Sequence, residues 1–392
     1  MKHPVVPVLA LVVSASALAP LPAEAAAKKP ARAFDFDGDG KTDAVLASGA
    51  SLSIFYGPAR KRQRLPFRAA LTTSWDFDRD GYADLAAAKE DSGEIVIRYG
   101  SRAGIGERRR VLRVERPVVE LDGGAEKVEA AIASLAGGDF DGDGKADLAY
   151  ATPLAAAFFV VPGLTGSGRR YDVTGSFDVG ADLLRLSAAD VTGDGRTDLF
   201  AEVQGFMPGI GVGLYRGGAA GLTRTAVSGL TEGFTVGDFD GDGIGDVAAP
   251  SEGRAGRGEI RTWHGGRSGL TAWRRITQDT PGVPGKGEKN DGFGSTLAAA
   301  DVDRDGRADL IAGTPREDVG KIKDAGSVTV LYGSRKGLTG KRSHQFTQDT
   351  RGVPGRARRG DLFGSDVTPA GGAFLVEAAG ERRTYVLRRL TF

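Results

Sequence analysis

The chain has 392 residues, with 60 glycines, no cysteine, and 52 basic residues nearly balancing 51 acidic ones. Without cysteine there are no disulfide staples, no thiol nucleophile and no thiolate metal site. Three histidines are too few for a zinc-type histidine cluster.

Residues 1–27 read as a secretory signal. Lys2 and His3 open it, an apolar run extends from Val5 to about Ala19, and Ala23-Glu24-Ala25 or Ala25-Ala26-Ala27 offers a small-residue cleavage site. The run is short for a membrane span and is interrupted by Pro7, Ser14 and Ser16. The expected product is secreted and extracellular, with no membrane span after cleavage, and monomeric.

A nonapeptide then recurs six times. The copies are DFDGDGKTD from Asp35, DFDRDGYAD from Asp76, DFDGDGKAD from Asp139, DVTGDGRTD from Asp190, DFDGDGIGD from Asp238 and DVDRDGRAD from Asp301. Their starts are 41, 63, 51, 48 and 63 residues apart, the spacing of repeated sheets. Oxygen atoms at positions one, three, five and nine, with the carbonyl of position seven, make a donor set for a hard cation. Calcium takes six to eight oxygens at about 2.3–2.6 Å. The candidate ligands are Asp35, Asp37, Asp39, Lys41 and Asp43, then Asp76, Asp78, Asp80, Tyr82 and Asp84. The next two loops supply Asp139, Asp141, Asp143, Lys145 and Asp147, and Asp190, Thr192, Asp194, Arg196 and Asp198. The last two supply Asp238, Asp240, Asp242, Ile244 and Asp246, and Asp301, Asp303, Asp305, Arg307 and Asp309. About six calcium ions are expected. Thr192 replaces an acid, so the fourth site should be the weakest. Position six is glycine in every copy, as a left-handed turn requires. An EF-hand would place glutamate at position twelve, where this chain has Leu46, Ala87, Tyr150, Ala201, Ala249 and Ala312.

Strand-like segments ending in a turn recur around the loops, running to Gly57, Gly100, Gly218, Gly266 and Thr339. Each unit reads as strand, loop, strand, turn, strand and outer strand, which is a four-stranded sheet. Residues 278–295 and 348–365 repeat the pattern QDT-x-GVPG with a following FGS. These long connections are candidates both for partner contact and for stapling neighbouring sheets.

Phe293-Gly294-Ser295, the loop Asp301–Asp309, Gly313-Thr314-Pro315 and the strand Val328–Tyr332 resemble one FG-GAP repeat, the blade of integrin α-subunit propellers and of many exported bacterial proteins. The resemblance implies an all-β, seven-bladed β-propeller with the cation loop between the first two strands of six blades. Approximate blades are 28–66, 67–118, 119–175, 176–228, 229–280, 281–350 and 351–392. The seventh keeps Phe363-Gly364-Ser365 but has Gly371-Gly372-Ala373-Phe374 where the loop would stand. Residues 28–34 could supply a closing strand or open the first blade.

The loops hold 23 of the acidic residues, leaving 28 other acidic residues against the chain's 52 basic ones, with basic runs at Arg60–Arg64, Arg108–Arg110 and Arg356–Arg359. The expected function is an extracellular binding or adhesion module for a glycan, cell-wall polymer or protein. No aromatic-interleaved basic patch points to nucleic acid. No nucleophile elbow is present, and His264 and His344 read as structural or solvated, so an enzyme is not expected. The alternatives are a polysaccharide lyase or other hydrolytic enzyme on a propeller scaffold, and a structural surface-coat component.

Overall fold

The structure is a computed structural model. It describes residues 34–388 apart from 41–42, 49–50, 57–60, 90–91, 115–117, 122–125, 130, 153–156, 167, 173–181, 205–209 and 371–372. The expected signal segment, Lys41 and the Gly371-Gly372 pair therefore lie outside the described residues.

Seven antiparallel sheets follow one another along the chain, each built of sequentially ordered strands. The first holds β1 (Ala44–Ser48), β2 (Ser51–Tyr56) and β3 (Lys61–Leu65). The second holds β4 (Ala69–Trp75), β5 (Asp84–Lys89), β6 (Glu94–Arg98) and β7 (Arg109–Arg113). A separate hairpin, β8 (Val118–Leu121) with β9 (Glu126–Glu129), comes next and was not expected from the sequence. The third sheet holds β10 (Ser134–Gly138), β11 (Asp147–Thr152), β12 (Ala157–Val161) and β13 (Arg169–Asp172). The fourth holds β14 (Asp182–Ala189), β15 (Asp198–Gln204), β16 (Ile210–Arg216) and β17 (Thr223–Thr225). The fifth holds β18 (Thr235–Gly237), β19 (Asp246–Ser251), β20 (Glu259–His264) and β21 (Thr271–Ile276). The sixth holds β22 (Thr296–Ala300), β23 (Asp309–Thr314), β24 (Ser327–Leu331) and β25 (His344–Phe346). The seventh holds β26 (Phe363–Ala370), β27 (Ala373–Ala378) and β28 (Arg383–Arg388).

This is an all-β, seven-bladed propeller. The second strands β11 and β23 are buried along their whole length, because each sheet is covered on both faces by its neighbours. That is why they read as apolar runs and not as alternating ones. The outer strands β7 and β13 are arginine-rich and mostly exposed, which protects an open edge from further pairing.

Six buried cores are found among the described residues, and each is shared by two consecutive sheets. One joins Phe140 and Phe158 of the third blade to Leu199 and Tyr215 of the fourth. The FG phenylalanines serve the same purpose. Phe293 is fully buried in the core between blades five and six, and Phe363 in the core between six and seven. Burying one such ring contributes about 1.5–3 kcal/mol.

The nonapeptide from Asp76 joins β4 to β5, and the copies from Asp139, Asp190, Asp238 and Asp301 likewise join the first two strands of their sheets. The copy from Asp35 leads into β1. In the seventh blade Ala370 pairs with Ala373, so a two-residue connection stands where the others carry a loop.

Candidate metal centres

The described residues of all six nonapeptides share one pattern of hydrogen bonds from their own backbone. The position-one carboxylate accepts the amide of the position-six glycine in every loop. The distance is 2.9 Å for Asp35, Asp76, Asp139, Asp190 and Asp238, and 3.2 Å for Asp301. Those glycines have φ between +79° and +92°, the left-handed region expected of them. Position four is left-handed as well. It is glycine in four copies but arginine at Arg79 (φ 60°) and Arg304 (φ 65°).

Position nine does more than the sequence suggested. Asp84, Asp147, Asp198, Asp246 and Asp309 each use Oδ2 to accept the amide of position two of their own loop. Each uses Oδ1 to accept the amide of a glycine ending the third strand: Gly100, Gly163, Gly217, Gly265 and Gly333, at 2.7–3.0 Å. A carboxylate oxygen keeps a second lone pair after accepting one bond. These aspartates can therefore hold the third strand and a cation together. The recurring strand-end glycines are the mark this arrangement leaves in the sequence.

The loops are also linked to one another. The position-one carbonyl accepts the position-eight amide of the next blade's loop, from Asp35 to Ala83 (3.2 Å), Asp139 to Thr197 (2.9 Å), Asp190 to Gly245 (2.8 Å) and Asp238 to Ala308 (2.8 Å). The position-two carbonyls of Phe36, Phe140, Val191 and Phe239 accept amides from the next blade's third-strand turn.

Carboxylate oxygens of Asp35, Asp37 and Asp39 lie within 4.8 Å of one another. So do those of Asp76, Asp78 and Asp84, of Asp139, Asp141 and Asp147, and of Asp238, Asp240 and Asp246. Burial raises the acidic side chains. Asp84 is pushed up to about 8, Asp309 to about 7, and Asp35, Asp147, Asp198 and Asp246 to about 6. Oδ1 of Asp35 is buried and has no hydrogen-bond partner, although the residue is only 5 % exposed. A buried carboxylate oxygen without a donor fits a cation ligand and is costly otherwise. The donor set is almost wholly oxygen, as hard divalent ions require. Basic residues fold back over several loops, with Lys145 on Asp143 (2.6 Å), Arg307 on Asp305 (2.6 Å) and Arg342 on Asp303 (3.3 Å).

The long QDT connections are anchored at their buried ends. Gln278 donates to Glu317 of the next blade (2.6 Å), Gln345 donates to the same carboxylate (3.2 Å), and Gln348 donates to Glu381 (3.2 Å). Their later parts bond to the connections between second and third strands, through Gly292 to Gly256 and Leu362 to Asp324. They thus staple consecutive blades.

His264, read from the sequence as structural or solvated, faces the fifth loop. Its Nδ1 lies 2.9 Å from Asp246 Oδ1.

The FG-GAP repeat family matches residues 131–171 and 293–331, spanning the third loop and the sixth with the sheets around them. The chain carries FG-GAP repeats within a seven-bladed propeller. Its architecture agrees with the solved structure of BBS1N in complex with ARL6DN, at 11 % identity and a TM-score of 0.51, with 96 % of this chain and 95 % of that one covered. A functionally unknown protein from Desulfotomaculum acetoxidans shares 14 % identity over 88 % of this chain and 95 % of that one, with a TM-score of 0.45. A rhamnogalacturonan lyase from Bacillus licheniformis shares 10 % identity over 91 % of each chain, with a TM-score of 0.36. No curated protein matches. Among the described residues no helix is long and apolar enough to cross a membrane.

Proposed function

We propose that this propeller is an extracellular binding module whose six loops bind calcium and so fix the orientation of its blades. The observation that carries the reading is the repeated loop itself. Acidic groups are held within 4.8 Å of one another, and the first loop keeps a buried, unpartnered oxygen on Asp35. Carboxylates packed that closely repel one another until a divalent ion joins them. Because the loop backbones also bond to the next blade, ion binding adds to folding stability. Calcium modules of extracellular proteins bind at about 10⁻⁴–10⁻³ M, so the sites fill outside a cell.

The partner expected is an anionic glycan or cell-wall polymer. The staples and the second-to-third-strand connections they bond to carry the exposed side chains of Arg254, Lys286, Lys289, Lys321, Arg358 and Arg359. Exposed cations on linked connections suit a repeating polyanion.

Calorimetric unfolding in calcium and in EDTA tests the calcium reading. A midpoint that falls sharply on chelation and returns with calcium but not magnesium supports it. Identical melts would discard it. Pull-down on immobilised acidic and neutral polysaccharides tests the partner. Release of unsaturated sugar ends from the acidic panel would replace binding by lyase activity.

A further inference from the structure

The fifth loop differs from the others by one nitrogen donor. In blades two, three, four and six the residue before the strand-end glycine is Tyr99, Pro162, Arg216 or Tyr332, whereas in the fifth it is His264. Its Nδ1 is 2.9 Å from Asp246 Oδ1 and 3.5 Å from Asp240 Oδ2, and its Nε2 is 3.9 Å from Asp242 Oδ2. Ligand atoms of Asp240, Asp242 and His264 all lie within 4.8 Å of one another. The loop thus contains two overlapping donor sets that share Asp240. Asp238, Asp240 and Asp246 form one of oxygen alone; Asp240, Asp242 and His264 form one with an imidazole.

Asp246 settles which imidazole nitrogen is available. A carboxylate accepts, so the contact at 2.9 Å puts the proton on Nδ1 and leaves the Nε2 lone pair free. That carboxylate–histidine pairing is the arrangement that orients imidazole ligands and raises their basicity. The Trp273 ring lies 5.0 Å from the imidazole and supports its outer side. Ligands of a tetrahedral ion bound at about 2.0–2.1 Å stand about 3.4 Å apart, so Nε2 and Asp242 Oδ2 close by about 0.5 Å from their 3.9 Å separation when one ion joins them. Imidazole adds little for calcium, but it favours zinc and its first-row neighbours strongly.

We propose that the fifth loop is a mixed nitrogen–oxygen site for a first-row divalent metal of the zinc type. Asp240, Asp242 and Nε2 of His264 are the ligands, and Asp246 is the positioning residue. This rests on the reading of the nonapeptides as cation loops and assigns one of them a different ion.

The test is equilibrium dialysis of the purified chain against trace zinc in millimolar calcium, with bound metal taken as the excess over the dialysate. The expected result is one zinc per chain beside calcium, with zinc affinity reduced at least about ten-fold in His264→Gln and calcium content unchanged or raised by one as calcium takes the vacated loop. Cobalt should give a visible ligand-field band in the wild type that the variant lacks. His264→Tyr, which installs the residue found at Tyr99 and Tyr332, serves as a second variant if the first folds poorly. Zinc absent from the wild type, or retained equally by both variants, overturns the proposal. Zinc retained with no calcium anywhere would uphold it and overturn the calcium reading of the remaining loops.

Discussion

The amide of Thr197 donates to the carbonyl of Asp139 at 2.9 Å, and the amide of Asp139 donates back to the Thr197 hydroxyl at 3.1 Å. Position eight of the fourth loop thus holds position one of the third. Thr197→Val keeps the shape and removes the returning bond, at a cost of about 1 kcal/mol. The third loop, not the fourth, should lose calcium affinity. Titration of single-site variants by calorimetry checks this, and loss confined to the fourth loop would refute it.

Aspartates of one loop should differ sharply when no ion is present. Asp309 is buried and accepts the amides of Val302 and Gly333. Asp309→Ala leaves both donors unpaired and should cost about 2–5 kcal/mol even in EDTA. Asp305 is exposed and accepts only backbone and arginine contacts within or near its own turn. Asp305→Ala should destabilise the protein in calcium but hardly at all in EDTA. Denaturant melts of both variants in both buffers provide the comparison.

The pH dependence should reverse with calcium. Burial raises Asp84 to about 8, Asp309 to about 7 and four other loop aspartates to about 6, from 3.8. Folded acids with raised values hold protons that the unfolded chain gives up, so stability is greatest below about pH 4 and falls as pH rises. In EDTA the melting midpoint should drop between about pH 4 and pH 8. In saturating calcium it should climb over the same range, because the ion displaces those protons. A flat profile in EDTA would count against buried, closely packed carboxylates.

Strand-end glycines should resist even alanine. A Cβ on Gly333 would lie 2.4 Å from the Ala308 carbonyl oxygen and 2.9 Å from that of Phe239. Gly333→Ala should cost at least about 1–3 kcal/mol through backbone displacement, with or without calcium. Thermal melts in both buffers check it, and a midpoint within a degree of wild type would contradict the close approach.

The acidic loops and their left-handed glycines were legible in the sequence because the spacing of their aspartates and their turn geometry are local. So was the seventh blade's missing loop, since Gly371-Gly372 replaces a nonapeptide. The left-handed Arg79 and Arg304 were less visible, because only the glycines at the other four position-four sites hint at that conformation. The links between loops involve backbone groups, which leave no residue signature beyond the strand-end glycine. The pairing of His264 with Asp246 was not legible, because the two lie 18 residues apart on different strands. The two-stranded β8–β9 hairpin lies outside the repeat and had no second copy to announce it.

The direct turn from Ala370 to Ala373 has a consequence for how the molecule meets a change of surroundings. Its sheet is fastened by Phe363, Val376 and Leu387 against the preceding one, and Val302 of the sixth acidic loop packs against the same core. On the calcium reading, the seventh sheet owes its own order to apolar packing, and it offers the sixth loop a template against which to re-form when calcium returns.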